Sequence, residues 1–137
     1  MTKLFHDDIF DDGLNTIVTA ATAVDLNLVL CSQAPASLAE ASTLYDGTAG
    51  KYRLSNAVSV GSGDVSLADK SGGGREITVA SKSGTAAATI AGGSNLHYAL
   101  YDSTRLLYVS DETSDQAITS GNPITFPSFK FGFSDPV

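Results

Sequence analysis

The residue types best suited to chemistry lie together in one short stretch, NLHYALYDSTRLLYVS, at residues 95–110. It contains His97, Asp102, Ser103 and Arg105. A serine, a histidine and a carboxylate can act as nucleophile, base and orienting group in a hydrolase, provided that the base lies within hydrogen-bond distance of the nucleophile. The secondary structure of this stretch therefore decides whether such a site can form.

The apolar pattern of the same stretch is that of a β-hairpin. Side chains alternate between the two faces of a strand, which puts Tyr98 and Leu100 on one face and His97 on the other. Asp102 and Ser103 then occupy the turn, and Asp is favoured at the first position of a type I turn because its side chain accepts from the backbone two residues on. Since residues at a turn tip cannot fold back to His97, we prefer turn formation to catalysis.

Other groups that bind metals or react as nucleophiles are few. His6 and His97 are the only histidines, and neither has a partner at the spacing of a zinc site, so both are predicted to be surface or interface residues. Cys31 is the only cysteine and lies in an apolar segment, which predicts a small buried side chain and no internal disulfide. We expect no catalytic residue, no cofactor and no metal.

The N-terminal region carries a helical pattern. Apolar residues at helical spacing predict one α-helix within residues 7–22, and they are Phe10, Leu14, Ile17, Val18 and Ala21. Carboxylates at the start of a helix bind free amides and favour its positive end. Four are present here, Asp7, Asp8, Asp11 and Asp12. They lack the alternating spacing and the turn glycine of a calcium loop, so capping and solubility are preferred.

The rest of the chain predicts strands and turns. A half-buried strand is expected at 26–31, a helical turn near Ser37–Leu44, a strand at Glu76–Lys82, and another in TAAATIAGG. A hairpin around Ser120–Asn122 is expected in QAITSGNPITFP, and a last strand in SFKFGFS. Eight or nine strands with frequent turns favour a mainly β fold, an antiparallel β-sandwich or barrel of jelly-roll-like type with one N-terminal α-helix.

Length and charge limit the class of protein. The 137 residues fit one β domain over 1–137, with an N-terminal arm and helix at about 1–22. The net charge of −7 repels phosphate backbones and disfavours nucleic-acid binding. No apolar run approaches the roughly 20 residues of a membrane span, and the N-terminus lacks the basic residues of a secretion signal. These features predict a soluble protein made in the cytoplasm.

Six residues are candidates for contact with a partner. Termini reach beyond a domain, which favours Phe5, His6 and Phe10 in the N-terminal arm and Phe131 and Phe133 near the C-terminus. For the phenylalanines of the last strand, Phe129 included, core packing is the preferred role and an exposed aromatic patch the alternative.

The glycine-rich SGGGRE lacks the lysine and hydroxyl residue of a phosphate-binding loop and is predicted to be a hairpin turn. Its arginine, Arg75, is the sixth contact candidate. Glycine lets another backbone approach closely, and arginine can hold a carboxylate of a neighbouring subunit in a fork.

Three stretches resemble a group of small virion proteins of tailed phages and prophages: LVLCSQAPASLAEAS, GDVSLADKSGGGREITVASKSGTAAATIAGGSNLHYALYDSTRLLYVS and SDQAITSGNPITFPSF. The resemblance covers most of the chain and includes no catalytic signature. It implies an N-terminal helix followed by strands, and a capsid cement or decoration protein, not an enzyme. Such a protein binds across the seams between major capsid subunits and stabilises the head, here with a homotrimer at local threefold positions preferred. The net charge of −7 favours the outside of the head, because packaged DNA would repel an acidic lining.

Two alternatives remain. A tail or neck component, or a host-adhesion module that binds glycans, would use exposed aromatic faces that the five tyrosines could supply, although tryptophan is absent. A small hydrolase would need Asp64, Asp69, His97 or Asp102 to cluster in a deep pocket.

Overall fold

The computed structural model describes residues 4–5, 12–92, 94–111 and 116–134. They contain two α-helices, a short 3-10 helix at Ser62–Asp64 and ten strands. The helices are α1 (Asn15–Thr22) and α2 (Leu38–Ser42). The strands are β1 (Leu4–Phe5), β2 (Asn27–Cys31), β3 (Val58–Ser59), β4 (Val65–Asp69), β5 (Gly74–Val79), β6 (Lys82–Thr85), β7 (His97–Tyr101), β8 (Leu106–Asp111), β9 (Pro123–Phe126) and β10 (Phe129–Ser134).

The strands form three sheets. A five-stranded sheet has the order β1-β8-β7-β2-β3, a three-stranded sheet the order β10-β5-β4, and β6 pairs with β9. Every pairing between these strands is antiparallel. The prediction of a mainly β, antiparallel fold with an N-terminal helix is confirmed, and the arrangement is sandwich-like.

Strands β2 and β7 of the five-stranded sheet are buried on both faces. Leu28 and Leu30 of β2 point into the larger core, whereas Val29 and Cys31 point into a second core beneath α2. The alternation predicted for β2 is therefore correct, but its half-buried character is wrong. The helical turn predicted near Ser37–Leu44 exists as α2, and its residue Ala41 is buried in that second core.

Helix α1 covers the second part of the helix predicted within residues 7–22. It begins at Asn15, after Gly13, whose φ of +72° cannot continue an α-helix. Its first turn holds no acidic residue, and Leu14 precedes it without a side-chain capping bond, so the described part of the helix start has no carboxylate cap. The predicted helical residues before Asp12, including Asp7, Asp8, Asp11 and Phe10, lie outside the described residues. The buried face of α1 carries Ile17 into the larger core.

Two predicted strands after residue 70 differ from those in the structure. The strand expected at Glu76–Lys82 is divided into β5, which ends at Val79, and β6, which begins at Lys82 and pairs with β9 instead of β4. Ala80, between them, still donates its N–H to the carbonyl of Asp64 at 2.8 Å, in the register of the β4–β5 ladder. The TAAATIAGG segment contributes the end of β6 and, in its described part, isolated bridges instead of a continuous strand.

The hairpin expected in QAITSGNPITFP is also wrong. Its two halves pair elsewhere, β9 with β6 and Ile118 with Ile90. The turn residues are placed as expected, since Gly121 has a φ of +92°, but both pairing partners lie far away in sequence.

Aromatic rings join the two larger sheets. Tyr108 of β8 stacks on Phe131 of β10 at a centroid distance of 4.3 Å, and on Phe129 at 5.9 Å. Such contacts add about 0.5–1.5 kcal/mol each beyond the area they bury. Core packing, the preferred role for this strand, is confirmed for Phe131, which is buried, while Phe129 and Phe133 are partly buried against the same core. The ring of Phe131 is thus not exposed for the contact predicted for it.

Candidate interaction site

The β7–β8 turn, residues 102–105, is built around a buried carboxylate. Asp102 Oδ1 accepts from the N–H groups of Thr104 and Arg105 at 2.9 and 2.7 Å and from the Thr104 hydroxyl at 3.1 Å. Its Oδ2 accepts from Arg105 Nε at 3.0 Å and Nη2 at 2.7 Å. Every polar contact of this carboxylate holds the turn, as the preference for turn formation predicted.

The hydrogen bonds at Asp102 also set its charge. Burial alone would raise the pKa of this carboxyl, but donation from Arg105 and from the backbone of Thr104 outweighs burial and holds the pKa below its ordinary value. Asp102 is therefore an ionised acceptor at neutral pH. A second carboxylate, Asp25, accepts from the N–H and hydroxyl of Ser103 at 3.2 and 2.9 Å and ties the turn to the end of α1.

His97 does not lie on the surface, so that prediction is wrong for this residue. Its side chain is fully buried, because the sheet that carries it is covered on both faces. Nδ1 lies 2.7 Å from the carbonyl oxygen of Asn95, to which it donates, and Nε2 lies 3.8 Å from Oδ1 of Asp111. His97 Nε2 and Asp111 Oδ1 both lack a hydrogen-bond partner among the described residues.

Each of the four residues that a hydrolase would bring together has a different partner. Asp64 pairs with Lys82 at 2.8 Å, and the Lys82 hydrogen bond lowers the pKa of this carboxyl. Asp69 pairs with Arg75, while Asp102 and His97 have the contacts described above. Within the described part of the chain, no three His, Cys, Asp or Glu side chains are placed to hold a metal ion.

Cys31 is buried in the second core. Burial raises the pKa of its thiol to about 12, with the charge of Arg53 acting weakly in the opposite direction. The thiol is therefore un-ionised at neutral pH, as expected for a packing residue.

Two of the predicted contact residues come together. Arg75 of β5 and Phe133 of β10 are direct cross-strand neighbours. With Leu67 and residues 12–15 they line the β5–β10 groove, a concavity of about 360 Å³. The Arg75 side chain is 52% exposed, and its Nη1 holds Asp69 of the same chain at 2.7 Å. An exposed pair of this kind exchanges readily with solvent, so Arg75 remains accessible to another carboxylate.

Of the three N-terminal contact candidates, only the backbone of Phe5 is described. Phe5 lies in β1 and pairs with Tyr108 of β8, while His6 and Phe10 lie outside the described residues. The five tyrosines offer no exposed ring: Tyr98, Tyr101 and Tyr108 are buried, while Tyr45 and Tyr52 are partly buried. The aromatic faces that glycan binding would need are thus not supplied by tyrosine.

A larger concavity was not predicted from the sequence. The β9 cavity, of about 420 Å³, has walls from Leu30, Leu96, Tyr98 and Ile124 and a rim that includes Gln116 and Thr125. No charged residue lines it in the described structure. Its walls come from segments distant in sequence, so no local motif could have indicated it.

Comparison with protein-family profiles, with curated proteins and with solved structures finds no significant match for the chain. In the described residues no helix is both long and apolar enough to cross a lipid bilayer.

Proposed function

We propose that this chain is a virion structural protein, a capsid cement that binds the outer surface of the major capsid lattice and stabilises the head as a homotrimer. The observation that carries the proposal is the placement of the reactive-type side chains. In the described residues Asp64, Asp69, Asp102 and His97 each have a separate structural partner, in a β-rich chain that resembles small phage virion proteins.

The charge of the chain supports an exterior position. A component with a net charge of −7 would be repelled by packaged DNA, so the outer surface is electrostatically preferred. Repetition of a modest contact around a symmetric lattice adds avidity, so each copy needs only a small interface.

The β5–β10 groove is the proposed contact with the major capsid protein. It combines an exposed cation, Arg75, with the partly buried ring of Phe133, and arginine and aromatic residues are enriched in protein interfaces. On binding, Arg75 would release Asp69 and pair with a carboxylate of the capsid subunit. No unpaired charge would be buried, because the released Asp69 lies in solvent.

Rebinding of the purified chain to heads stripped of it tests the proposal. We expect saturable binding to heads, and we expect Arg75→Glu to weaken it at least about tenfold, since reversal places like charges together at the contact. Lys51→Glu is the matched control, because Lys51 also forms an exposed ion pair, with Asp46 at 2.6 Å, outside the groove.

The outcomes separate the alternatives. Binding to tails or necks, or to cell envelopes, in place of heads would replace the cement function by a tail or adhesion function. Equal loss with both charge reversals would show that net charge, and not the groove, governs binding. Images of the intact particle with this chain inside the genome-filled space would contradict the exterior position.

A further inference from the structure

The buried ring of His97 lies between two oxygen atoms. Its side chain is 1% exposed, and in the β7–β8 ladder the residue directly opposite is Asp111. Nδ1 lies 2.7 Å from the carbonyl oxygen of Asn95, and Nε2 lies 3.8 Å from Oδ1 of Asp111. A carbonyl oxygen and a carboxylate oxygen can only accept hydrogen bonds. Both ring nitrogens therefore face acceptors.

A neutral imidazole cannot satisfy both contacts, because it has one N–H donor and one nitrogen that only accepts. With the proton on Nδ1, the bond to Asn95 forms, but the lone pair of Nε2 then faces the carboxylate of Asp111. With the proton on Nε2, the lone pair of Nδ1 is held 2.7 Å from the carbonyl oxygen of Asn95, which is repulsive. Only the imidazolium, which carries both protons, has a donor for each oxygen.

Burial makes the contact with Asp111 important. Among the described residues, neither Nε2 of His97 nor Oδ1 of Asp111 has a hydrogen-bond partner, which is unfavourable for buried polar atoms. An isolated charge on a buried ring would be costly, but the carboxylate opposite can neutralise it. A charge-assisted bond is about 2.7–2.9 Å long, so the two atoms must approach by about 1 Å. The Asp111 side chain, at the end of β8, is 19% exposed and less enclosed than the ring.

The other titratable groups near β7 do not replace Asp111. Strand β7 packs against β2, β8 and α2. On β2, the residue opposite His97 is Cys31, whose thiol is un-ionised at neutral pH. Glu40 of α2 accepts from a backbone N–H before that helix, and Arg53, which lies beyond Cys31, donates to two backbone carbonyls. The tyrosines of β7 and β8 carry neutral phenols. In the described structure, Asp111 is therefore the carboxylate available to the ring.

We infer that His97 and Asp111 form a proton-dependent bond between β7 and β8. When His97 takes up a proton from solvent, Nε2–H donates to Asp111 while Nδ1–H stays on Asn95. When the proton is released, the link between His97 and Asp111 is lost. The contribution of this bond to stability is therefore present at low pH and disappears as the pH rises. The inference does not depend on the capsid function proposed above.

Nitrogen NMR of the ring tests the protonation directly. In the His6→Gln variant, His97 is the only histidine, so its two ring nitrogens can be observed alone. We expect both to carry a proton at about pH 5.5 and only Nδ1 at about pH 9, on either side of the ordinary range of histidine. Adding Asp111→Asn should leave one ring proton at the lower pH, because an amide N–H can donate to the neutral ring. Asp69→Asn is the matched control, since that carboxylate is exposed and pairs with Arg75.

A double-mutant cycle measures the effect of the bond on stability. The unmodified chain, His97→Gln, Asp111→Asn and the double variant are compared by urea unfolding at both pH values. We expect the two substitutions to be coupled at least about fivefold in the unfolding equilibrium constant at the lower pH, and less than about twofold at the higher.

Three results would overturn the inference. One is a single ring proton at the lower pH in the His6→Gln variant, and another is equal protonation of His97 with Asp111→Asn and with Asp69→Asn. The third is a coupling that is the same at both pH values. The NMR results decide the question even if His97→Gln does not fold.

Discussion

Two hairpin turns of this chain are each closed by an Asp–Arg ion pair with a nitrogen–oxygen distance of 2.7 Å, but the two pairs differ in their exposure to solvent. In the β7–β8 turn, the side chains of Asp102 and Arg105 are 4% and 26% exposed. Asp69 and Arg75 flank the β4–β5 turn, residues 70–74, and their side chains are 91% and 52% exposed. Water screens the second pair, and such exposed pairs contribute about 0–1 kcal/mol. An equal distance between charges therefore does not mean an equal contribution to stability.

The β4–β5 turn is shaped by its backbone and not by its ion pair. Gly72, Gly73 and Gly74 have φ values of +86°, +101° and +107°, and Lys70 donates its N–H to the carbonyl of Gly74 at 3.0 Å. Glycine is the residue that adopts these angles without strain. The β7–β8 turn thus depends on a buried acceptor with several donors, and the β4–β5 turn on glycines, which have no side chain.

The largest effect is expected at Gly74. A Cβ atom there would lie 2.0 Å from the carbonyl oxygen of Phe133, in addition to the strain of its φ. Gly74→Ala should therefore cost about 3 kcal/mol or more and loosen the β5–β10 pairing. Urea denaturation measures the loss. Gly72→Ala is the control, because open space surrounds that position and only backbone strain of about 1 kcal/mol is expected. Equal losses would show that the close approach to Phe133 is unimportant.

The next largest effect is expected at Asp102. Asp102→Ala removes the acceptor of the turn and leaves Arg105 and two backbone N–H groups without it, which should cost about 3 kcal/mol. Asp69→Ala removes the exposed member of the second pair and should cost less than about 0.5 kcal/mol. Thermal unfolding of both variants checks the difference. A loss for Asp69→Ala as large as that for Asp102→Ala would contradict the contrast between the two turns.

The smallest effect is the acid dependence of the buried pair. The pKa of Asp102 is below its ordinary value of 3.8, so its charge stabilises the fold fully above that value, and the contribution is lost as the pH falls through the lower folded pKa. The difference in unfolding free energy between the unmodified chain and Asp102→Asn should be constant well above pH 3.8 and should shrink as the pH falls below that value. A difference that does not change with pH would show that the carboxylate charge is not what stabilises the turn.

Local patterns predicted the elements whose partners are near in sequence. The β7–β8 hairpin follows from its alternation and from Asp102 at the turn, and the β4–β5 hairpin from its glycines. The pairing of β6 with β9 joins residues about forty positions apart and leaves no local signal, so the predicted hairpin at 116–127 was wrong. The apolar residues Val29 and Ala99 on the second face were the available sign that the central sheet is buried on both sides.

The candidate sites were predicted only in part. Arg75 and Phe133 were selected separately, and their cross-strand pairing appears only once β5 and β10 are in register. The burial of His97 depends on the covering of the second face by α2 and its neighbours. No sequence rule places a valine at a left-handed position, because propensity favours glycine there, so the φ of +57° at Val24 is seen only in the structure.

The burial of Cys31 gives the molecule a built-in reporter. A thiol reacts as its thiolate, and one that is enclosed and has a pKa of about 12 presents almost none at neutral pH. Because the chain has no other cysteine, a maleimide or disulfide reagent can modify a thiol of this chain only when the five-stranded sheet opens and exposes Cys31. The labelling rate would then count opening events directly, in the free chain and in any assembly it joins.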